Sequence, residues 1–370
     1  MSAWSKHKSL LVRHGRTDIT YSKCLAMDMD GTMIKPKSGR VHPKSADDWI
    51  WCYGDMQRET LASVPEDTLL VIISNQRGAG RKESKQHDLM HKIDNMISEL
   101  GGRDIVVMLA LNDDEYRKPA IGMWTYFQSC YAVRECLGYI GDAAGRPNDF
   151  SCSDRKFADN LGIPFYTPEE YFLGDSRDTT LWTWGWSPYD YMRNIRTDYD
   201  HQNDDTVKEM CEQSYQEMVV LVGPPASGKS HIAQSSFPSY VRVNRDTLGT
   251  ASKCLKATRE ALQNGKSVVI DNTNPSQKAR AGYVDIAQKS DVPIRCIVVD
   301  ACDELVQHNN RYRACCSNDR DVVPIVALRS FRKYYEKPSH DEGYTTILTI
   351  PFIPRFANTD DMQQWCMWYS

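Results

Sequence analysis

Eight short apolar runs, each stopping at a glycine, an aspartate, an asparagine or a serine, set what this chain can fold into. The first four are LAMDM (25–29), LLVII (69–73), IVVMLAL (105–111) and LGYI (137–140). The second four are VVLVG (219–223), YVRV (240–243), SVVID (267–271) and PIRCIVVD (293–300). Helix-length amphipathic segments lie between them, among them 84–100, 154–162, 253–264 and 275–289. Strands that alternate with helices make βαβ units, so the expected fold is α/β, with two doubly wound parallel-sheet domains. With 370 residues there is enough chain for two ordinary cores. The expected boundaries are 1–175 for the first domain, 176–217 for a linker and 218–370 for the second. The linker reading rests on a run of aromatics, Trp182, Trp184, Trp186, Tyr189, Tyr191 and Tyr199, followed by the acidic stretch DYDHQNDD (198–205). The aromatics should cling to a domain surface and the acidic stretch should be solvated.

Composition removes several classes of protein. Hydrophobic residues make up 41% and charged residues 25%, which argues against a mainly disordered chain. No run approaches the ~18 apolar residues of a membrane helix, and the basic N-terminus lacks the apolar core of a secretory signal. The twelve cysteines show no CxxC or Cys/His ligand spacing; Cys24, Cys136, Cys254 and Cys296 sit singly in apolar stretches. They read as buried thiols in a reducing compartment. Residues 218–370 carry 19 basic and 15 acidic side chains, against 26 and 34 in residues 1–217. A polyanionic partner would therefore be held by local patches of charge.

Ligands of such sheets sit at the carboxyl ends of the strands, and the chemistry-bearing residues fall there. DMDGT (28–32) offers two carboxylates at i and i+2. That spacing suits phosphoryl transfer through an aspartyl-phosphate, with Asp28 attacking phosphorus and Asp30 serving as acid and then base. SNQRGAGR (74–81) brings Ser74 and Asn75 to a phosphate, RKPAIGMW (117–124) supplies the charge of Lys118, and GDAAGR (141–146) supplies Asp142. Asp28, Asp30 and Asp142 are the candidate Mg²⁺ ligands, since that ion takes a few carboxylates plus water and phosphate oxygens. Asp149 and Asp154 read equally as further acids or as helix caps. The four segments, in this order and each after a strand, resemble the four motifs of the haloacid dehalogenase superfamily of phosphatases.

GPPASGKS (223–230) has the GxxxxGK[ST] spacing between a strand and a probable helix. Gly223, Pro224, Pro225, Ala226, Ser227 and Gly228 would wrap a triphosphate, Lys229 would reach its β- and γ-phosphates, and Ser230 would ligate Mg²⁺. VNRDTLG (243–249) adds Asp246 to take a proton from a hydroxyl, with Arg245 to meet an anionic acceptor. VVIDNTNP (268–275) adds Asp271, suited to a water-mediated Mg²⁺ contact or to positioning the loop. HNNRYR (308–313), read as following a helix, adds Arg311 and Arg313, which read as lid residues over ATP or equally as a solvated basic helix end. The RHG of LVRHGRT (11–17) looks like a histidine-phosphatase loop, but the sequence after it is already occupied by the aspartate motifs. His14 is therefore read as a coincidence in a peripheral strand or loop.

The two halves in this order resemble the polynucleotide kinase 3′-phosphatase family of eukaryotic DNA-end repair enzymes, over about residues 22–350. The resemblance implies removal of 3′-phosphates and ATP-dependent phosphorylation of 5′-hydroxyls, with ATP and Mg²⁺ as cofactors. It further implies DNA ends as partners, other break-repair proteins, a monomer, a nuclear location and no membrane. There are departures: too little chain precedes the first motif for a forkhead-associated domain, and a basic insertion between GDAAGR and DFS is missing. The segment 50–68 reads poorly as a helix. A bifunctional kinase–phosphatase of small metabolites and a non-catalytic DNA-end binder are the alternatives. Arg245 and Arg280 are the arginines expected to hold DNA.

Overall fold

The computed structural model describes residues 3–16, 18–177, 179–201, 211–316 and 321–370. The chain divides into two compact units, each built on its own sheet. The first takes in Met1–Ser187, Ala314–Asp321 and Met367–Ser370, and the second Pro188–Arg313 and Val322–Cys366.

In the first unit β1 (Trp4–His7), β2 (Leu10–Arg13), β3 (Lys23–Met27), β6 (Thr68–Asn75), β7 (Ile105–Ala110), β8 (Glu135–Ile140) and β9 (Phe165–Tyr166) form a seven-stranded sheet. Its order is β1-β2-β7-β6-β3-β8-β9. β3, β6, β7, β8 and β9 run parallel, and the β1–β2 hairpin adds an antiparallel edge. Two further short strands, β4 (Ile34–Lys35) and β5 (Ile50–Trp51), pair on their own. Side chains alternate along a strand. Leu25 and Met27 therefore pack into one cluster, with Ile72, Ile93 and Val107, while Cys24 and Ala26 pack into the cluster on the other face with Phe127, Tyr139 and Phe157. The strand order reverses between β6, β3 and β8, and the crevice at that switch lies directly beyond Met27, where DMDGT begins.

Four helices of this unit matter below: α1 (Gly54–Ser63), α2 (Glu83–Ser98), α3 (Gly122–Cys130) and α4 (Ser153–Leu161). Helix α1 corrects the reading of 50–68. Its periodicity is weak because Gln57 occupies a fully buried position beside Leu61. The Gln57 amide donates to the Thr32 carbonyl and accepts from the Tyr53 N–H, so a polar residue anchors the helix through hydrogen bonds.

The second unit carries β10 (Met218–Val222), β11 (Val241–Val243), β12 (Val268–Asp271), β13 (Ile294–Asp300) and β14 (Thr346–Pro351), all parallel, in the order β11-β12-β10-β13-β14. The central β10 is buried at every position, as a strand covered on both faces must be.

Two domain expectations change. Within the stretch read as a linker, residues 188–201 form a helix, and the unit boundary falls at Ser187/Pro188. Part of the acidic stretch 198–205 lies outside the described residues. The last four residues, assigned from sequence to the second domain, belong to the first unit. Trp182 and Trp184 do pack on a domain surface, over Arg155 of α4. His14 follows β2 in a loop and bonds the Ser5 hydroxyl at 2.7 Å. All twelve cysteines carry free thiols. No helix among the described residues is long and apolar enough to cross a membrane.

Candidate active sites

At the end of β3 the chain must turn sharply and pass close to a second acid. Gly31 does this with φ +84°, and a Cβ there would stand 2.3 Å from an Asp142 oxygen. Only glycine fits. The turn leaves Asp28 buried and Asp30 at the open mouth of the site. Lys118 is buried and donates to Asp28 Oδ1 at 2.6 Å, to Asp154 Oδ1 at 2.7 Å and to the Tyr139 hydroxyl at 2.6 Å. The Tyr139 hydroxyl passes its own proton to the Ile73 carbonyl at 2.9 Å. Burial pulls the Lys118 pKa down, but Asp154 and Asp28 outweigh it and raise the pKa above the usual lysine value.

Asp154 is thereby placed among the site residues. Its second oxygen accepts the Ala143 N–H at 3.1 Å, and burial followed by the opposing pull of Lys118 leaves its pKa raised to about 6. Asp149 acts on the backbone instead. It accepts the Ala144 and Arg146 N–H groups, each at 3.0 Å, and pairs with the Arg146 guanidinium, closing the loop after Asp142. Thr32 and Asp142 exchange hydrogen bonds at 3.0 and 3.3 Å. Asn75 does not reach outward to a phosphate. Its amide clamps the Lys118 backbone, donating to the carbonyl at 3.1 Å and accepting the N–H at 2.9 Å. Ser74 is buried and accepts from the Gln76 amide at 3.2 Å, and that same amide donates to Asp30 at 2.6 Å. Although its surface opens to the mouth of the site, the protein packed around the Asp30 carboxylate partly desolvates it. This and then the neighbouring Asp28 charge raise its pKa, with Gln76 pulling the other way.

One oxygen each from Asp28, Asp142 and Asp154 lie within 4.8 Å of one another. The Asp30 carboxylate is outside this group. Burial, then the charges of Asp28 and Asp154, push the Asp142 pKa up to about 8, with Lys118 pulling the other way. A hard divalent cation such as Mg²⁺ fits this all-oxygen donor set.

In the second unit the β10 run ends in the loop Gly223–Ser230, which leads into the helix Lys229–Ser236. Gly228 adopts φ +89° and a Cβ there would press the Phe352 ring at 3.0 Å, so the loop needs glycine at this point. Ala226 also takes positive φ, and Asn309 donates to its carbonyl at 3.2 Å. Lys229 is buried, bonded to the Pro224 carbonyl at 2.6 Å and the Ser227 hydroxyl at 3.2 Å. Burial lowers its pKa to about 8, with Asp271 opposing.

Pro225, Ala226, Lys229 and Ser230 open onto a cleft of about 730 Å³ that Arg245, Asp246, Asn272, Tyr283 and Arg313 also line. Asn244 caps the short helix Arg245–Leu248, accepting the Asp246 N–H at 2.8 Å, and its amide donates to the Asp271 carbonyl at 2.7 Å. This leaves the Arg245 and Asp246 side chains exposed toward the cleft. Asp271 is buried and paired with Arg242 at 2.8 Å, so it braces β11 against β12. HNNRYR lies inside the helix Asp303–Cys316 rather than after it. Of its two arginines Arg313 lines the cleft and Arg311 does not.

Arg280, expected to hold DNA, is fully buried. It pairs with Glu342 at 2.7 Å and donates to the Asn274 and Pro275 carbonyls, which fixes the loop after β12. Sequence reasoning also missed Gln76, Tyr139 and Asn244. Gln76 and Asn244 lay inside motifs already singled out, SNQRGAGR and VNRDTLG, and Tyr139 in the strand run LGYI.

A model of the family described as polynucleotide kinase 3 phosphatase matches residues 23–172, and a model of the AAA domain matches residues 218–338. The chain is 40% identical over 373 residues to the bifunctional polynucleotide phosphatase/kinase of Schizosaccharomyces pombe, covering 99% of this chain and 88% of that one. Two further relatives match about two fifths of the chain. A polynucleotide 3′-phosphatase of Saccharomyces cerevisiae is 28% identical over 40% of this chain and 87% of its own. One of Arabidopsis thaliana is 32% identical over 42% of this chain and 24% of its own.

Proposed function

Because this chain belongs to the family of bifunctional polynucleotide phosphatase/kinases, we propose that it converts broken nucleic-acid ends into ligatable ones. The first unit removes a 3′-phosphate and the second phosphorylates a 5′-hydroxyl with ATP. One observation supports this reading above the others: both units bring a full set of reacting groups together, Asp28–Lys118–Asp154 in one and Lys229 with Asp246 in the other.

In the first unit Asp28 attacks phosphorus, the bond to the strand's 3′-oxygen breaks, and Asp30 gives that oxygen a proton. The raised pKa of Asp30 suits a group that must still hold a proton when substrate arrives. Asp30, now ionised, then takes a proton from water as the water attacks the phosphorus of the Asp28 acyl phosphate, which frees inorganic phosphate and returns the carboxylate. Lys118 offsets negative charge on Asp28 throughout, and Asn75 keeps the Lys118 backbone in place. Asp28, Asp142 and Asp154 are the residues that would hold Mg²⁺, which when bound neutralises charge on the phosphoryl group.

In the second unit Asp246 takes the proton of the 5′-hydroxyl as its oxygen bonds to the γ-phosphorus of ATP and ADP leaves. Lys229 neutralises the β- and γ-phosphates, and Ser230 would hold the Mg²⁺ that accompanies them. Buried Lys229 has a pKa of about 8 before ATP binds, and the phosphates must raise it. A group whose pKa rises on binding favours binding fully below its free value and loses that contribution as pH rises. ATP should therefore bind with constant affinity up to about pH 8, then weaken toward tenfold per pH unit. Lys229→Arg should flatten this limb in a nucleotide titration, and parallel profiles for the two proteins would refute the assignment.

Arg245 is the exposed cation beside Asp246 and the residue best placed for the strand's phosphates. Arg245→Ala should raise the KM for a 5′-hydroxyl oligonucleotide. It should also make the log–log salt dependence shallower by roughly one contact, about 0.7–0.9 in slope. ATP binding should be unchanged. An unaltered slope would move the strand elsewhere.

The direct test of the whole reading is an oligonucleotide carrying a 5′-hydroxyl and a 3′-phosphate, incubated with Mg²⁺. Without ATP the 3′-phosphate alone should be lost; with ATP the 5′ end should gain a phosphate as well. A mononucleotide turned over as well as the oligonucleotide, with no salt dependence, would favour the small-metabolite alternative.

A further inference from the structure

The Lys118–Asp154 ion pair is drawn from two segments with no strand in common. Lys118 sits in the loop ahead of α3, and Asp154 in the first turn of α4. The two must stay within 2.7 Å of one another under a load of buried charge, so something has to fix the loop to the helix. Asn160, in the last turn of α4, does so. Its amide nitrogen donates to the carbonyl of Pro119, the residue after Lys118, at 2.8 Å. The same nitrogen donates to the Trp368 carbonyl at 2.9 Å, and its oxygen accepts the Trp368 N–H at 2.8 Å.

Trp368 reaches this position from 208 residues away in sequence, and it is held there by more than backbone. Its indole N–H donates to Asp159 at 2.7 Å. Its ring stacks on Trp184, with centroids 5.2 Å apart and planes 10° from parallel. Cations of α4 cover both rings: Arg155 lies 3.6 Å from the Trp184 centroid and the Lys156 ammonium 4.7 Å from that of Trp368. Nε and Nη2 of Arg155 are buried without a hydrogen-bond partner, so the aromatic face is their compensation. The Lys156 ammonium also donates to the Ser370 carbonyl at 2.6 Å. None of these groups touches Asp28.

We propose that Asn160 and Trp368 are positioning residues of the phosphatase site, a clamp that sets Lys118 against Asp154 and through it against the nucleophile. The inference rests on the phosphatase reading above. It adds that a residue near the far end of the chain, among residues the sequence assigns to the kinase, controls dephosphorylation. The clamp acts on the distance between groups already folded in place, and groups that bind the phosphate, such as Ser74, lie outside it. Its loss should therefore lower kcat and spare KM, since catalysis is more sensitive than binding to displacements of a fraction of an ångström.

The test uses the full chain with two substrates, a 3′-phosphate oligonucleotide and p-nitrophenyl phosphate, which calls on the aspartate chemistry without a strand. Asn160→Asp keeps size and acceptor but takes the donor away from both carbonyls. Trp368→Gly removes the ring, while Trp368→Phe keeps the stacking and the backbone bonds. Assays run well below the melting transition of each variant, and kinase turnover checks the other unit. Asn160→Asp and Trp368→Gly should lose about ten- to a hundredfold in phosphatase kcat, with KM within about threefold and kinase unchanged. Trp368→Phe should restore most of the rate. Folded Asn160→Asp or Trp368→Gly protein with normal kcat, or one whose loss is all in KM, would overturn the clamp. A wild-type chain active on p-nitrophenyl phosphate but not on the oligonucleotide would instead overturn the strand-end reading and leave the clamp to be judged on the small substrate.

Discussion

Asp28→Asn should yield a protein that has lost 3′-dephosphorylation and still phosphorylates 5′-hydroxyl ends at the wild-type rate. The neutral amide lacks the carboxylate oxygen that attacks phosphorus to form the acyl phosphate, and Asp30 cannot replace it from the mouth of the site. Removing a covalent nucleophile costs at least about 10³-fold in kcat, or about 4 kcal/mol of transition-state stabilisation. Folding should not suffer, because taking a charge out of the crowd formed with Asp142 and Asp154 relieves repulsion there. Single-turnover assays with the 3′-phosphate oligonucleotide, followed by kinase assays on the same preparation, would show it. Loss of both activities in a folded variant would contradict two independent sites.

Lys229→Ala should do the reverse. Kinase turnover should fall by about 10²- to 10³-fold, because the transferring phosphoryl group loses the one loop cation placed for it. Phosphatase activity should stay at the wild-type rate. In the free protein Lys229 satisfies the Pro224 carbonyl and the Ser227 hydroxyl, so its removal also loosens the loop, and ATP affinity should fall together with kcat. Lys229→Ala with full kinase activity would mean that another cation serves the phosphates, and Arg313, which lines the same cleft, would be the first to examine.

Much of the chemistry could be read from the sequence because it is local. Asp28, Ser74 and Asp142 each lie at or just after the end of a buried strand, and the loop Gly223–Ser230 follows β10 directly. A parallel sheet carries such residues to one edge whatever surrounds them. What escaped depends on pairing across the chain. Arg280 and Arg245 are indistinguishable as letters, but one is sealed against Glu342 and the other stands in the cleft. Asp154 looked as much like a helix cap as an acid, and its partner Lys118 is 36 residues away. Gln57 spoiled the apolar pattern of α1 because its anchor is a pair of hydrogen bonds.

The sequence by itself determined the α/β architecture, the division into two sheet-based halves and which residues at the strand ends are candidates for the chemistry. These follow from periodicity and from residues within a few positions of a strand end. Only the tertiary structure decided which charges are buried, how they are paired and which segments hold them in register. It placed Asp154 beside Lys118, kept Asp30 out of the carboxylate cluster, withdrew Arg280 from the surface and brought Trp368 to α4. The physical reason is that a side chain's charge state and freedom are set by its dielectric surroundings and its partners. Those partners lie tens to hundreds of residues away, brought into contact by the packing of the sheets and helices.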